Sequence, residues 1–203
     1  MVSDAYRFII PLLIIALALF AVSGPWAAGL PVLLAVFVSY FFRNPARRVP
    51  PGAKLVVSPA DGRIVKVAAV GQGLESRRQV SIFLNVFDVH VNRAPIDGEL
   101  ESLEYRRGRF KVASDDEASR VNEQNILTIR GQDATLVVKQ IAGLIARRVV
   151  CWKKAGQNME RGEVIGLIRF GSRVDLLLPE DSKVIARVGD RVKGGSSVIA
   201  ELK

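Results

Sequence analysis

Gly171-Ser172 places a hydroxyl beside a carbonyl that no side chain shields. Ser172 Oγ can reach the carbonyl carbon of the residue before it, and attack there would exchange an amide for an ester. Gly-Ser pairs also make ordinary turns, so the pair alone leaves both readings open. The sole histidine, His90, lies in Asp88-Val89-His90-Val91-Asn92-Arg93-Ala94-Pro95, with Asp97-Gly98 just beyond. Imidazole titrates near neutrality, which suits it to moving protons, although a lone histidine in a β-rich chain also serves as a structural side chain. Asp61, in Ser58-Pro59-Ala60-Asp61-Gly62, reads locally as a turn carboxylate bonded to its own backbone.

Other chemistries fit less well. Cys151 is the only cysteine, which excludes an intramolecular disulfide and suits a reducing compartment. It has no histidine near it in sequence and reads as a small apolar residue beside Trp152. One histidine and one distant cysteine leave only carboxylates as further ligands, which disfavours a metal site. No glycine loop for a nucleotide is present. The 29 Lys and Arg against 20 Asp and Glu give a charge of +9, which suits an anionic partner. The basic residues are scattered and not interleaved with aromatics, so a lipid surface fits better than nucleic acid.

Two kinds of element must carry these residues. From Phe8 to Phe42 no residue is charged. As one helix this run would be on the order of 50 Å long, too much for a single crossing of a hydrocarbon core of about 30 Å. Ser23-Gly24-Pro25 breaks it, which predicts a helical hairpin that either crosses as two short helices or dips into one leaflet. Pro11 and Pro31 fit early helix positions better than interiors, with a kink within its helix as the alternative for Pro11, and Trp26 and Tyr40 suit interfacial positions. The run is too long for a cleaved signal peptide. Arg43, Arg47 and Arg48 follow it and place its flank, and the domain beyond, on the cytoplasmic side of the cell membrane. The divisions expected are a membrane-associated hairpin over 1–43, a proline-rich linker over 44–54 and a domain over 55–203.

In that domain the texture becomes short alternating runs. Strands are predicted at 55–57, 63–67, 80–84, 99–105, 125–129, 134–140, 162–169, 173–178, 182–187 and 197–201, bounded by Gly, Pro, Asp or Asn. This spacing argues a mainly β fold, a compact sandwich or flattened barrel with little helix. The acidic segment 114–123 is the helix or loop candidate. Residues 58–65 and 186–200 resemble the hairpins of lipoyl- and biotinyl-type domains, but Lys193 lacks the neighbouring Met of a carrier lysine.

Taken in order, Ser58-Pro59-Ala60-Asp61-Gly62, then Asp88-Val89-His90-Val91-Asn92-Arg93-Ala94-Pro95, then Phe170-Gly171-Ser172-Arg173 before an apolar strand resemble the short form of the phosphatidylserine decarboxylase family. The resemblance covers essentially the whole chain. It implies a proenzyme that cuts itself between Gly171 and Ser172, leaving a large β chain (1–171) and a small α chain (172–203) as a heterodimer. Ser172 then becomes a covalent pyruvoyl cofactor, which forms a Schiff base with the amine of phosphatidylserine and serves as electron sink while carbon dioxide leaves and phosphatidylethanolamine forms. His90 is the candidate for the proton transfers, with Asp61 as orienting carboxylate or base.

Two departures bear on the site. Longer members carry Leu-Gly-Ser-Thr at the cut and a second histidine where this chain has Arg93, so a triad using that histidine does not transfer. Arg93 and Arg173 are candidate contacts for the lipid phosphate or the substrate carboxylate, each with a solvated surface arginine as the alternative. The rival function is a non-catalytic membrane-anchored barrel, an adaptor or carrier, in which Gly171-Ser172 is a turn.

Overall fold

The computed structural model describes residues 1–73, 76–111, 117–144, 149–169 and 171–203, and the chain forms two compact units, Met1–Ala46 and Arg47–Lys203. Phe170 and positions 114–116 of the acidic segment lie outside the described residues.

The first unit is a helical hairpin, α1 (Tyr6–Ser23) and α2 (Pro25–Phe41). Gly24 breaks it with φ +80°, a left-handed conformation that favours glycine, and its N–H caps Phe20 O at 3.0 Å. Pro25 takes the first position of α2, where its missing N–H costs nothing. Pro11 and Pro31 are both interior to their helices, which corrects the expectation for Pro31 and is the alternative kept for Pro11. The two ends meet: Val2 N–H donates to Phe42 O at 3.1 Å, and the Phe8 and Phe42 rings stack at 5.8 Å. The hairpin is apolar on all faces, with Val22, Trp26 and Leu33 exposed. The run Ser3–Ser23 is long and apolar enough to cross a bilayer, while α2 is shorter.

The second unit is mainly β. Its strands are β1 (Leu55–Val57), β2 (Gly62–Val70), β3 (Arg77–Leu84), β4 (Val91–Arg93), β5 (Gly98–Arg106), β6 (Gln124–Arg130) and β7 (Thr135–Ile141). There follow β8 (Val149–Cys151), β9 (Asn158–Met159), β10 (Val164–Ile168), β11 (Ser172–Pro179), β12 (Lys183–Val184), β13 (Arg191–Val192) and β14 (Val198–Glu201). A curled eight-stranded sheet runs β13-β2-β3-β11-β7-β6-β5-β9. Two three-stranded sheets, β4-β10-β8 and β1-β14-β12, complete the unit. The only helix described here, α3 (Ala118–Val121), is a single turn within the acidic segment.

Alternation decides which side chains meet the core. On β11, Ser172, Val174, Leu176 and Leu178 face inward with Leu84, Ile82 and Val80 of β3, while Arg173, Asp175 and Leu177 face the other way. Most of the predicted strands are present within one to three residues at each end. The run expected over 182–187 ends at Val184, because Asp190 Oδ2 accepts from Arg187 N–H at 2.8 Å and turns the chain. The two lipoyl-like segments are stitched to each other: β13 pairs β2, Gly195 N–H donates to Ser58 O at 2.8 Å, and Ser58 N–H donates to Ser197 O at 2.8 Å.

Candidate active site

Two of the candidate residues, Asp61 and Ser172, stand at one end of three adjacent strands. In the antiparallel order β2-β3-β11, Arg63 and Arg173 lie on either side of Phe83, and Ser172 stands beside Leu84 at the end of β3. Asp61 therefore enters β2, and Ser172 opens β11, at the same end of the sheet, two strand spacings or about 10 Å apart. His90 follows six residues after the end of β3. Its carbonyl accepts from Ile168 N–H at 3.2 Å, which sets it against the chain leading from β10 to Ser172.

Gly171 has φ +59°, and apart from its chain neighbours no atom among the described residues lies within 4 Å of where a Cβ would sit. Backbone conformation, not crowding, is what calls for glycine there. Ser172 is fully buried, and among the described residues its Oγ has no hydrogen-bond partner. A buried hydroxyl with no competing acceptor, directly after a left-handed glycine, fits a residue that attacks its own preceding carbonyl and is converted to a carbonyl group.

His90 is 2% exposed, and its Nδ1 lies 3.0 Å from Asp88 O. A carbonyl only accepts, so Nδ1 carries the proton and Nε2 holds the lone pair of the neutral ring. That tautomer is the one a base at Nε2 requires. Asp88 is in turn fixed by accepting Asn85 N–H at 2.9 Å. The partner of Nδ1 is a backbone carbonyl, which any residue at position 88 supplies, so no side-chain motif signals it.

Asp61 is held from two sides. Arg47 Nη2 donates to its oxygens at 2.9 and 2.7 Å, and Gly194 N–H donates to Oδ1 at 2.8 Å. In the sequence Arg47 stands only as part of a basic flank, and nothing local to it points to Asp61. Gly194 leaves the turn room to approach, since a Cβ there would press on Ala60 at 3.3 Å. Asp61 and Asp88 both line a cavity of about 130 Å³ with Arg191 and Lys193, large enough for a few waters.

Arg93 joins this cluster and Arg173 does not. Arg93 N–H donates to Pro59 O at 2.9 Å and its Nη1 to Gly162 O at 2.8 Å. Burial and the neighbouring Arg47 charge hold its guanidinium below the usual range, with Asp61 opposing. Arg173 is 1% exposed on the opposite face of β11, with Nε 2.7 Å from Asp175 Oδ1 and Nη2 2.8 Å from Ser81 Oγ. Burial raises the Cys151 thiol, with Lys153 opposing, as suits an unreactive cysteine.

The family model described as phosphatidylserine decarboxylase matches residues 34–200. A phosphatidylserine decarboxylase proenzyme of Solibacter usitatus is 51% identical over 178 residues, 88% of this chain and 85% of its own length. Another, of Aromatoleum aromaticum, is 47% identical over 206 residues, covering 98% and 94% of the two chains. A third, of Syntrophus aciditrophicus, is 44% identical over 188 residues, covering 89% and 87%.

Proposed function

The chain belongs to the phosphatidylserine decarboxylase family, and we propose on that premise that it matures by cutting itself between Gly171 and Ser172. It is an enzyme that decarboxylates phosphatidylserine. The observation that carries the maturation reading is the pairing of Gly171 at φ +59° with a buried Ser172 Oγ that has no partner among the described residues. The Ser172 hydroxyl adds to the Gly171 carbonyl carbon, and its proton passes to Nε2 of His90. The ester that replaces the amide is then eliminated as the Gly171 carboxylate with loss of the Ser172 α-proton, and the dehydroalanine left at residue 172 tautomerises to an imine that takes up water and loses ammonia. The parent chain becomes a β chain of residues 1–171 and an α chain of 172–203 that begins with the pyruvoyl group made from Ser172.

That pyruvoyl group, once formed, supplies the carbonyl that takes up the substrate amine and the electrons released as carbon dioxide departs. The protein's part is placement and proton transfer. His90 returns a proton to the carbon that lost the carboxylate, and its Nδ1 bond to Asp88 keeps the ring turned for that purpose. Asp61 orders the strand entry beside it through Arg47 and Gly194.

Arg93 is the candidate contact for the headgroup phosphodiester, because Arg47, Arg93, Arg191 and Lys193 outnumber the Asp61 and Asp88 carboxylates in these surroundings. A carboxylate clamped by a cation would be held back from leaving, so the anion that stays on the product is the better ligand there. Arg173, also weighed as a substrate contact, is engaged with Asp175 and Ser81 and has the part of anchoring the strand that carries Ser172. The apolar hairpin holds the enzyme at the cell membrane, with Arg43 and Arg48 favouring the cytoplasmic side. Carbon dioxide release from carboxyl-labelled phosphatidylserine in mixed micelles tests the activity. Wild-type protein should release label and form phosphatidylethanolamine, and a Ser172→Ala variant that still did so would overturn the site.

A further inference from the structure

Three buried amides form a chain from β6 through β7 to Asn92 of β4, and its middle member lies near Ser172 by register. Asn125 of β6 lies opposite Gln140 of β7, and its Nδ2 donates to Gln140 Oε1 at 3.1 Å. Gln140 Nε2 in turn donates to Asn92 Oδ1 at 2.8 Å. All three residues are buried, Gln140 and Asn92 completely. With its oxygen occupied as acceptor, Asn92 is turned so that Nδ2 is presented elsewhere, and among the described residues Nδ2 has no partner. A buried donor left unmet costs about 1–3 kcal/mol, which a fold does not carry without a use or a ligand for it.

The register places the residues around that donor. Gln140 stands opposite Val174, the first inward-facing residue after Ser172 on β11, which makes it a diagonal neighbour of Ser172 within reach of a long side chain. Asn92 pairs with Gly166 on β10, the strand that leads into Gly171. Gly166 makes room for the contact: a Cβ there would lie 2.1 Å from Val150 O and 3.1 Å from Gln140 Nε2. Asn92 is also two residues from His90, the proposed base.

We infer that Asn92 Nδ2 is the oxyanion donor of the self-cleavage step. The inference rests on the maturation reading above and adds to it a residue and a role. As the bond from Ser172 Oγ to the Gly171 carbon forms, the hydroxyl proton goes to His90 and the carbonyl π pair moves onto the Gly171 oxygen. Asn92 Nδ2–H donates to that oxygen while it is negative. When the oxyanion collapses, the bond from Gly171 carbon to Ser172 nitrogen breaks, the nitrogen takes a proton, and the ester is left. Gln140 and Asn125 act through Asn92 as positioning residues, polarising and aiming its amide.

The test follows the cutting of freshly translated full-length chain by intact mass over time, with thermal unfolding of each variant. Asn92→Asp keeps the shape and the acceptor for Gln140 but removes the donor, and should slow cutting about a hundredfold or more. Gln140→Glu separates positioning from packing. It keeps a hydrogen bond to Asn92 but reverses it, accepting from Nδ2, and should slow cutting although the pair stays bonded. Gln140→Met, which leaves Asn92 in place but unaimed, should slow it less and covers the case in which a carboxylate in the interior prevents folding. Wild-type rates in folded Asn92→Asp and Gln140→Glu would overturn the assignment while leaving the maturation reading intact. An uncut wild-type chain would overturn the maturation reading itself.

Discussion

Arg47 Nη2 lies 2.7 Å from Asp61 Oδ2, with only 9% and 14% of the two side chains exposed. A basic residue next to an apolar segment is thus committed to a carboxylate at the entry to β2. Arg47→Met leaves Asp61 with the Gly194 N–H and strips charge from Arg93's surroundings. The expected loss is about 2 kcal/mol of unfolding free energy, between the values for exposed and buried pairs, with a fall in decarboxylation. Denaturant titration of the cut enzyme together with a lipid assay reads both, and unchanged values in both would remove Arg47 from the site.

His90→Gln preserves a donor that can face Asp88 O but has no titrating group. Carbon dioxide release should drop by about 10²- to 10⁴-fold, the usual contribution of a positioned acid or base. Since the same variant should also be cut slowly, rates are normalised to the fraction of chains cut, read by intact mass, which separates turnover from maturation. Activity within a few-fold of wild type would rule out the proton-transfer role.

Gly171→Ala tests conformation apart from space, since apart from its chain neighbours no atom among the described residues lies within 4 Å of the new methyl group while φ is +59°. The strain should cost about 1–2 kcal/mol, and the chain should relax it by moving the carbonyl away from Ser172 Oγ. Slower cutting with a small loss of thermal stability is expected, and a cutting rate equal to wild type would show that the left-handed turn is not needed.

Much of this was legible in the sequence for a physical reason. Long alternating runs such as those of β6, β7 and β11 announce themselves because one face must be buried. The two- and three-residue strands β4, β8, β9 and β13 carry too few residues to alternate, and their pairing is set by partners far along the chain. Asp61, His90 and Ser172 stood out through short motifs that spell a turn, a proton carrier and an exposed carbonyl. Arg47 did not, because its partner is fixed by tertiary packing and its neighbours read as a membrane flank. Arg173 had the right charge for a substrate contact, but strand alternation, which turns adjacent residues to opposite faces, put it across the sheet from Ser172. Nothing local to Asn92 or Gln140 hints that their amides meet.

Asp175→Asn probes that far face. Arg173 and Asp175 are each 1% exposed, and Gln79 and Ser119 also donate to Asp175 Oδ2, at 2.8 and 2.6 Å. Removing the carboxylate charge leaves a buried guanidinium uncompensated and should cost about 3–5 kcal/mol. Equilibrium unfolding should show it directly. A loss below about 0.5 kcal/mol would place the pair among ion pairs that contribute nothing measurable.

The central claim is that the bond between Gly171 and Ser172 is cut and Ser172 is converted. Intact-mass measurement of the purified protein answers it most directly. The 22.2 kDa chain should resolve into pieces of about 19 and about 3 kDa, with the smaller blocked at its N-terminus because its first residue is no longer serine. A single uncut chain of 203 residues with an unmodified Ser172 would contradict the account.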